Sequence, residues 1–366
     1  MIRVAAQFPD GTDMPQGYSL PYISVEAALV ESGVGVLTVE IPSDYVPTGL
    51  GRDYRLLLFR TPFGGFEYLE GDAVWLIRRR GFSATPDGSE TTVFTAVHAN
   101  SLVDRRVIAY GSGTSQARKS GALDNIIKAL VRENFISATD TDRNVSGLTV
   151  EADTSLAPSG VVQVSYQMLG QTIRDICEAS RAGGTYLGFD IRASGSDLLF
   201  RTFTGQRGVD RGLSSGAALI FGRQFRNVSS IDIDEDWEDA ATIAYAVGPG
   251  EGVLRPAITA QIAADEQGSP FGRIEALASG SGRTSVELAH DAASAIMQLG
   301  YTLSVDAVAV DSDTCIYGRD YSWGDRVVVV EGDLSFEVMV DPVQITASVS
   351  GDAYDETIEP KLTYRS

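Results

Sequence analysis

The tetrapeptide Gly-Arg-Asp-Tyr occurs twice in this chain, once towards each end, and each copy is followed by an apolar run. The copies are residues 51–54, before the run 56–59, and residues 318–321, before the run 327–330; Gly71 and Asp72 open a third run at 73–77. A glycine with positive φ and an aspartate that bonds its own backbone are typical of a tight turn entering a strand. The repeat predicts two related β regions, although unrelated turns can also share four residues.

Length and composition indicate a folded protein of several domains. At 366 residues, and about 100–200 residues per domain, two to three domains are expected. The segment 1–7 has one arginine and no sustained apolar core, and no run approaches the length of a membrane span. We therefore expect no signal peptide, no stable membrane insertion and folding in a reducing cytosol. Cys177 and Cys315 have no metal-site spacing and are expected to be small buried hydrophobes.

The charge balance is acidic, with 29 Lys and Arg against 49 Asp and Glu and a net charge of −20. Such a chain gains little from counterion release, so sequence-specific nucleic-acid binding is not expected, and neither is an anionic membrane surface. The acidity would suit a surface past which nucleic acid moves without sticking, although net charge more often serves solubility.

Residues 1–110 have the pattern of an all-β domain. Short apolar or alternating runs occur at 24–29, 34–41, 54–59, 73–77, 92–96 and 107–110, separated by turn clusters at 9–11, 62–65 and 86–89. This spacing is typical of a sandwich or barrel. Arg78, Arg79 and Arg80 form a basic run that is either a partner-facing edge or, as the pattern favours, a solvated strand end that discourages edge pairing.

Residues 111–222 have the pattern of an α+β segment. After Gly111-Ser112-Gly113, helical spacing begins at residue 122, with apolar residues at Leu123, Ile126, Ile127, Leu130 and Val131. A second helix carries Leu169, Ile173, Ile176 and Cys177 and ends at Gly183-Gly184. A hairpin is expected from 185–191 and 196–203, with Gly195 in its turn.

The remainder is β-rich with one helical excursion. Strands are expected at 225–230, 242–247, 302–310, 315–317, 327–330, 336–340 and 343–349, and a helix at 285–299 that ends at Gly300. The alternation over 231–239 resembles a calcium loop, but the turn glycine is missing and Ile243 stands where the bidentate carboxylate belongs. A strand with an acidic outer face is favoured there over a structural metal ion near Asp232–Asp239.

No motif carries catalytic chemistry. His98 and His290 lie far apart outside any metal or triad spacing, and both are expected to be structural or surface residues. The glycine-rich stretches 111–113 and 248–252 lack the strand–glycine–helix context of a phosphate loop. We therefore assign no residue to catalysis, cofactor binding or metal binding, and expect no cofactor and no enzymatic activity.

The regions of the chain follow in the order of a β domain, an α+β insert and a β domain with a helical excursion. In this order, and in the segments Arg226-Asn227-Val228-Ser229-Ser230-Ile231, 240–247 and 317–330, the chain resembles the tail-hub proteins of tailed bacteriophages. More narrowly, the chain resembles the Gp37-like family of actinobacterial siphoviruses. The resemblance implies two similar β-barrel domains, 1–110 and 223–253 with 301–366, flanking an α+β insert at 111–222, with the helical excursion at 254–300 inside the second barrel.

The resemblance also implies a structural virion protein at the tail tip, assembled in the host cytoplasm. Such a hub is a homotrimer whose paired barrels let three subunits dock on a six-fold tube and close or line the DNA exit channel. Its implied partners are the distal tail protein or tail-tube ring, the tape measure protein, and tail-fibre, receptor-binding or tip proteins. Larger members carry a C-terminal enzymatic or receptor-binding extension, and since this chain stops soon after the second β region, that activity is expected in another protein.

The alternative is a secreted carbohydrate-binding or glycan-hydrolysing β protein. Its one candidate site is Tyr317, Tyr321 and Trp323 near Asp320 and Asp325. A packed barrel seam is favoured over a sugar platform for these rings, because aromatic side chains mostly serve burial.

Overall fold

The fold was taken from a computed structural model of the chain. The structure describes residues 1–15, 17–86, 88–109, 117–164, 166–238, 240–248, 257–262, 271–278, 288, 291, 292, 295, 296, 299 and 302–364. Two compact units divide the chain: Met1–Ile231 with Ala307–Thr363, and Asp232–Asp306 with Tyr364–Ser366.

Strands dominate the described residues, as the β-rich pattern predicted. The strands are β1 (Ile2–Gln7), β2 (Ser24–Leu29), β3 (Val36–Pro42), β4 (Arg55–Arg60), β5 (Tyr68–Leu69), β6 (Trp75–Ala84), β7 (Glu90–His98), β8 (Ala117–Ala122), β9 (Leu148–Val150), β10 (Ser159–Val164), β11 (Leu187–Ser194), β12 (Asp197–Thr204), β13 (Ile220–Phe221), β14 (Val228–Asp236), β15 (Ile243–Val247), β16 (Ala257–Ile262), β17 (Glu275–Leu277), β18 (Thr302–Ala309), β19 (Arg326–Glu331), β20 (Leu334–Ser350) and β21 (Ala353–Tyr364). The helices are α1 (Leu123–Phe135) and α2 (Leu169–Ala182).

One large sheet brings strands from both ends of the sequence together. Its order begins β1-β4-β6-β7-β3-β2-β20-β21 and ends at β14. The joint is the antiparallel pairing of β2 with β20, in which Ala27 lies opposite Ile345. The described strands form large, mainly antiparallel sheets, and none of these sheets closes into a barrel within the described ranges.

Alternation along the strands explains which faces are buried. In β3, Leu37, Val39 and Ile41 are buried while the residues between them are partly exposed. A strand points successive side chains to opposite faces, so this pattern places one face of the sheet on the core. The predicted strands at 24–29, 242–247 and 302–310 are confirmed to within one residue at either end.

The α+β part of the larger unit follows its predicted pattern closely. The predicted apolar positions of α1 are all buried, and they pack in one cluster with α2, β11 and β12. Gly183 is the C-terminal cap of α2, and Gly195 has a φ of +62° between β11 and β12. Local periodicity therefore located these elements correctly.

Some elements differ from the sequence prediction. Val107 makes only an isolated bridge to Met168, and 315–317 makes isolated bridges where a strand was expected. The predicted strands 336–340 and 343–349 are one continuous strand, β20. β21 was not predicted, because its acidic residues and Pro360 weaken the apolar alternation that identifies strands.

The two Gly-Arg-Asp-Tyr turns have different backbone conformations. In the first copy Asp53 has a φ of +64°, and in the second copy Gly318 has a φ of +80°. The expectation that glycine supplies the positive φ is correct at Gly71 and Gly318 and wrong at Gly51, where the aspartate takes the left-handed conformation. Asparagine and aspartate tolerate that region better than other side chains, so the same four residues can fold in two ways.

The smaller unit has its own sheet and apolar cluster. β15 pairs with β16 in the antiparallel sense and with β17 in the parallel sense. Its cluster contains Ala244, Ala246, Ala278, Leu288, Ala292 and Ala295. Of the helix predicted at 285–299, the structure describes six residues. Residues 288, 291, 292, 295 and 296 are helical, and Leu299 lies in a bend. The other positions, 285–287, 289, 290, 293, 294, 297 and 298, lie outside the described residues. Gly300, His290 and the stretches 111–113 and 249–252 also lie outside the described residues. No described helix is long and apolar enough to cross a membrane.

Candidate assembly surface

The aromatic side chains of the segment 317–325, called here the C-terminal turn, are buried inside the larger unit. Tyr317, Tyr321 and Trp323 are 0%, 1% and 2% exposed. The rings of Tyr317 and Tyr321 meet edge to face with centroids 5.4 Å apart, and Phe221 contacts Tyr321 at 5.1 Å. These rings offer no open face to a sugar, so their predicted packing is confirmed, whereas the described strands form no closed barrel around them.

A buried carboxylate connects this turn to the N-terminal strands. Tyr68 donates its hydroxyl to Glu70 Oε2 at 2.6 Å, and Tyr317 donates its hydroxyl to Glu70 Oε1 at 2.7 Å. Burial raises the pKa of the Glu70 carboxyl, although both hydroxyl donors act in the opposite direction. Arg60 donates from Nη1 to the Tyr317 carbonyl at 2.7 Å. Residues about 250 apart in sequence thus share one hydrogen-bonded network.

A second network surrounds Trp323. The Arg207 guanidinium lies 4.0 Å from the centroid of the Trp323 ring, donates from Nη2 to the Gly71 carbonyl at 2.6 Å and ion-pairs with Asp190 at 2.8 Å. Asp190 also pairs with Arg201 at 2.7 Å. Burial raises the pKa of the Asp190 carboxyl, but the charges of Arg207 and Arg201 outweigh burial and hold that pKa below its ordinary value. The aromatic ring, the cations and the carboxylate stabilise one another in a low-dielectric interior.

Asp320 and Asp325, which lie beside the rings in sequence, form hydrogen bonds that stabilise the C-terminal turn. Asp325 accepts hydrogen bonds from Val209 N at 2.6 Å, Ser322 N at 3.0 Å and Arg211 Nε at 3.1 Å. Asp320 accepts from Ile316 N at 2.7 Å. Their carboxylate oxygens accept hydrogen bonds from backbone N–H groups and from the side chains of Arg211 and Arg319, which is the chemistry of a structural turn.

His98 lies at the end of β7 and is buried among aromatic rings. Its Nδ1 accepts a hydrogen bond from Asn100 N at 3.2 Å, and its ring meets Trp75 edge to face at 5.5 Å. Burial lowers the pKa of His98 to about 4, because the charged imidazolium would lose its hydration. The expectation of a structural histidine is therefore correct here.

The depressed pKa of His98 predicts a loss of stability in mild acid. An unfolded histidine has a pKa of about 6.5, so stability is fully present above that pH and falls as the pH drops towards 4, by about 3 kcal/mol in total. His98→Gln and His98→Phe cannot titrate and should show a shallower decline between these pH values. Urea unfolding at pH 7, 5.5 and 4.5 measures the decline. An equal decline in the wild type and both variants would contradict the prediction, and the phenylalanine variant controls for loss of the ring.

Two aromatic side chains are presented to solvent near a cleft. Phe63 and Phe66 are 86% and 93% exposed, in the loop between β4 and β5. The cleft has a volume of about 580 Å³ and is lined by Met1, Arg60, Thr61, Pro62, Phe63, Ser229, residues 308–311 and residues 356–359. Arg60 and the N-terminal amine both pair with Glu356, at 2.9 and 2.8 Å. The stretch 62–65 was interpreted only as a turn, and the sequence analysis did not single out Phe63 within it or Phe66 directly after it as exposed apolar side chains.

Both cysteines are buried and free. Burial raises the pKa of the Cys177 thiol to about 12 and of the Cys315 thiol to about 11, as expected for small buried hydrophobes. Within the described ranges, no group of three or more histidine, cysteine, aspartate or glutamate side chains is placed to hold a metal ion.

Three solved structures share the fold over nearly the whole chain. They are the 43 kDa tail protein of prophage MuSo2 from Shewanella oneidensis (TM-score 0.59, 11% identity, 100% of this chain and 98% of that chain), a tail protein from Neisseria meningitidis MC58 (0.56, 12%, 99% and 96%) and the prophage tail protein gp18 from Listeria monocytogenes EGD-e (0.56, 11%, 100% and 94%). At these identities the likeness shows a common fold. No curated protein gives a significant match.

A sequence profile adds the family. The profile described as Siphovirus ReqiPepy6 Gp37-like protein matches residues 66–356, most of the chain. That range includes the buried Glu70 and Asp190 networks and the C-terminal turn. The chain therefore belongs to the siphovirus ReqiPepy6 Gp37-like family.

Proposed function

We propose that this chain is the trimeric hub at the distal end of a phage tail tube. The observation that carries the proposal is the family match over residues 66–356, together with a fold shared from end to end with three proteins named as tail proteins. The hub joins a six-fold tube or distal-tail ring to a three-fold tail tip.

The symmetry match requires two similar β modules in each subunit. We propose the modules 1–110 and 223–253 with 301–366, as two related barrel-type domains, with the insert 111–222 and the excursion 254–300 attached to them. Support comes from the Gly-Arg-Asp-Tyr sequence that precedes a strand in each module, although the two turns differ in backbone conformation, and from the β2–β20 pairing that holds N-terminal and C-terminal strands together. Three subunits would then offer six comparable modules to a six-fold ring.

The charge supports a role beside passing DNA. A net charge of −20 on each subunit would repel the genome electrostatically and prevent it from binding to a channel wall. We propose that the trimer lines or closes the exit channel without sequence-specific contacts to DNA.

The remaining partners follow from this position. They are the distal tail protein or tail-tube ring on one side, the tape measure protein inside, and fibre, receptor-binding or tip proteins on the other side. The hub would be assembled in the host cytoplasm and then reside at the tail tip of the virion. We propose no enzymatic activity, and the buried rings of the C-terminal turn give no support to the secreted glycan-binding alternative.

The test is the oligomeric state of the purified chain, alone and with a tail-tube or distal-tail ring from the same phage. Light scattering after size exclusion should give three times the chain mass of 39.1 kDa, and electron microscopy should show a three-fold ring. A stable trimer needs large interfaces, on the order of 2,000 Å² or more. A chain that stays monomeric in both conditions, or a monomer that binds glycan, would overturn the proposal.

A further inference from the structure

The outer half of β6 presents an open sheet edge. β4 pairs with β6 only at Trp75 and Leu76, and two backbone bonds extend this contact to Ile77. From residue 79 to Ala84, β6 pairs with β7 alone in the described part of the chain. Its side chains at 78–80 and 82–84 are exposed, so both faces and one backbone edge of this segment meet solvent. An edge of this kind is a template for pairing with another chain.

This open edge is basic and partly apolar. Arg78 ion-pairs with Asp53 at 2.7 Å, whereas Arg79 and Arg80 have no carboxylate partner among the residues that the structure describes. Arg80 lies 5.7 Å from the Phe94 ring centroid, and Phe82 is 62% exposed. Two unneutralised guanidinium groups therefore stand on the edge next to an exposed aromatic ring.

The charges on this edge could either prevent strand pairing with another chain or promote contact with an acidic partner. Charged residues on an edge often prevent pairing with another copy. In a chain with a net charge of −20, however, acidic residues would repel further copies, while arginines attract them. The exposed Phe82 adds apolar area that a purely protective edge does not need. The basic edge is therefore suited to contact with an acidic surface.

The same chain contains a complementary acidic strand. In β14, the exposed side chains include Asp232, Asp234, Glu235 and Asp236, and none of them has a cationic partner within the described ranges. Ile231 and Ile233 alternate with these acids and are half-buried. β14 is the last strand in the order of the large sheet. An extended row of carboxylates at the end of a sheet matches a basic strand edge in both shape and charge.

We propose that the β6 edge of one subunit, residues 79–84, binds the acidic stretch 232–236 of β14 in a second copy of this chain. The inference rests on the proposed trimer, in which such a head-to-tail contact repeats around the ring. Main-chain pairing along the edge supplies part of the contact, and Arg79 and Arg80 pair with carboxylates of the neighbouring strand.

Charge-reversal variants test the contact by the concentration at which the trimer dissociates. The measurement is made on the chain alone or with the tail-tube or distal-tail ring, whichever condition gives a wild-type trimer. Arg79→Glu with Arg80→Glu should raise the concentration at which the trimer dissociates by at least about 100-fold, because it sets like charges against each other. Adding Asp232→Arg and Asp234→Arg to the same chain places two arginines opposite the two new glutamates and should largely recover the trimer. The matched control, Arg118→Glu with Arg181→Glu, makes the same change in net charge at two exposed positions away from both strands and should dissociate like the wild type.

The outcomes separate this inference from the proposed hub. A wild-type trimer that the Arg79 and Arg80 reversal leaves intact, or a quadruple variant that dissociates as readily as the double variant, overturns the contact and leaves the hub standing. A wild-type chain that forms no trimer in either condition overturns both. Alanine at positions 79 and 80, which removes attraction without adding repulsion, should give an intermediate shift and excludes misfolding caused by the glutamates.

Discussion

Asp190→Ala is expected to destabilise the larger unit by about 3–5 kcal/mol. The carboxylate is buried and pairs with Arg201 at 2.7 Å and Arg207 at 2.8 Å. Removing it leaves two guanidinium groups, both largely buried, without their shared anion, and the loss of a partner costs far more than the intact pair contributes. Arg207 also stacks on Trp323 and binds the Gly71 carbonyl, so the effect should reach the C-terminal turn.

Urea unfolding of the wild type and the variant measures this difference. The pKa of Asp190 is lowered in the folded state, so its contribution is fully present above its unfolded pKa of about 4 and is lost only as the pH falls through the lower, folded value. The gap between wild type and Asp190→Ala should therefore be equal at pH 5 and pH 7. Asp153→Ala is the control, because Asp153 forms a partly exposed ion pair with Arg132 at 2.6 Å and should cost less than about 1 kcal/mol. Equal losses in the two variants would contradict the argument.

Local sequence patterns predicted the elements whose signals lie within one element. The helical spacing from Leu123 to Val131 located α1, and the alternation around Gly195 located the β11–β12 hairpin. In both cases the residues that must share a face or a turn are neighbours in sequence. The burial of the rings in the C-terminal turn was predicted from a different argument, the general tendency of aromatic side chains to be buried.

Long-range pairing could not be predicted from such patterns. The β2–β20 contact joins residues more than 300 positions apart. A single sequence does not show which two strands pair with each other. For the same reason the Glu70 network was missed, since Glu70 and Tyr317 are ordinary residues until the fold places them 2.7 Å apart. The repeated tetrapeptide indicated which segment mattered, but it did not indicate that the two turns differ in backbone conformation.

The residues that stabilise the fold differ from the residues of the proposed contact surface. The arginines around the C-terminal turn are neutralised inside the unit, as Arg207 is by Asp190, while Arg79 and Arg80 are left on the surface. A surface change such as Arg79→Glu should therefore alter association with little effect on folding. A change at the C-terminal turn should do the reverse, and Trp323 offers the sharpest case.

Trp323→Ala is expected to cost about 3–5 kcal/mol, because it removes a large, fully packed side chain and leaves a cavity. The ring is 2% exposed, its Nε1 donates to Asp341 Oδ1 at 2.9 Å, and Arg207 lies over one face. The backbone of Gly71 rests on the ring: a Cβ at Gly71 would lie 2.7 Å from Trp323 Cε3, and the φ of +60° also favours glycine. No neighbouring group can move in without breaking one of these contacts, so the cavity should persist.

Thermal and urea unfolding of three variants separate the contributions. Trp323→Phe keeps an aromatic ring beneath Arg207 but loses the Nε1 donor to Asp341, and should cost about 1–3 kcal/mol. Phe63→Ala removes an equally aromatic but 86% exposed side chain and should change stability by no more than about 0.5 kcal/mol. If Trp323→Ala proves as mild as Phe63→Ala, the C-terminal turn does not hold the N-terminal and C-terminal strands together, and the buried networks described around it are incidental to the fold.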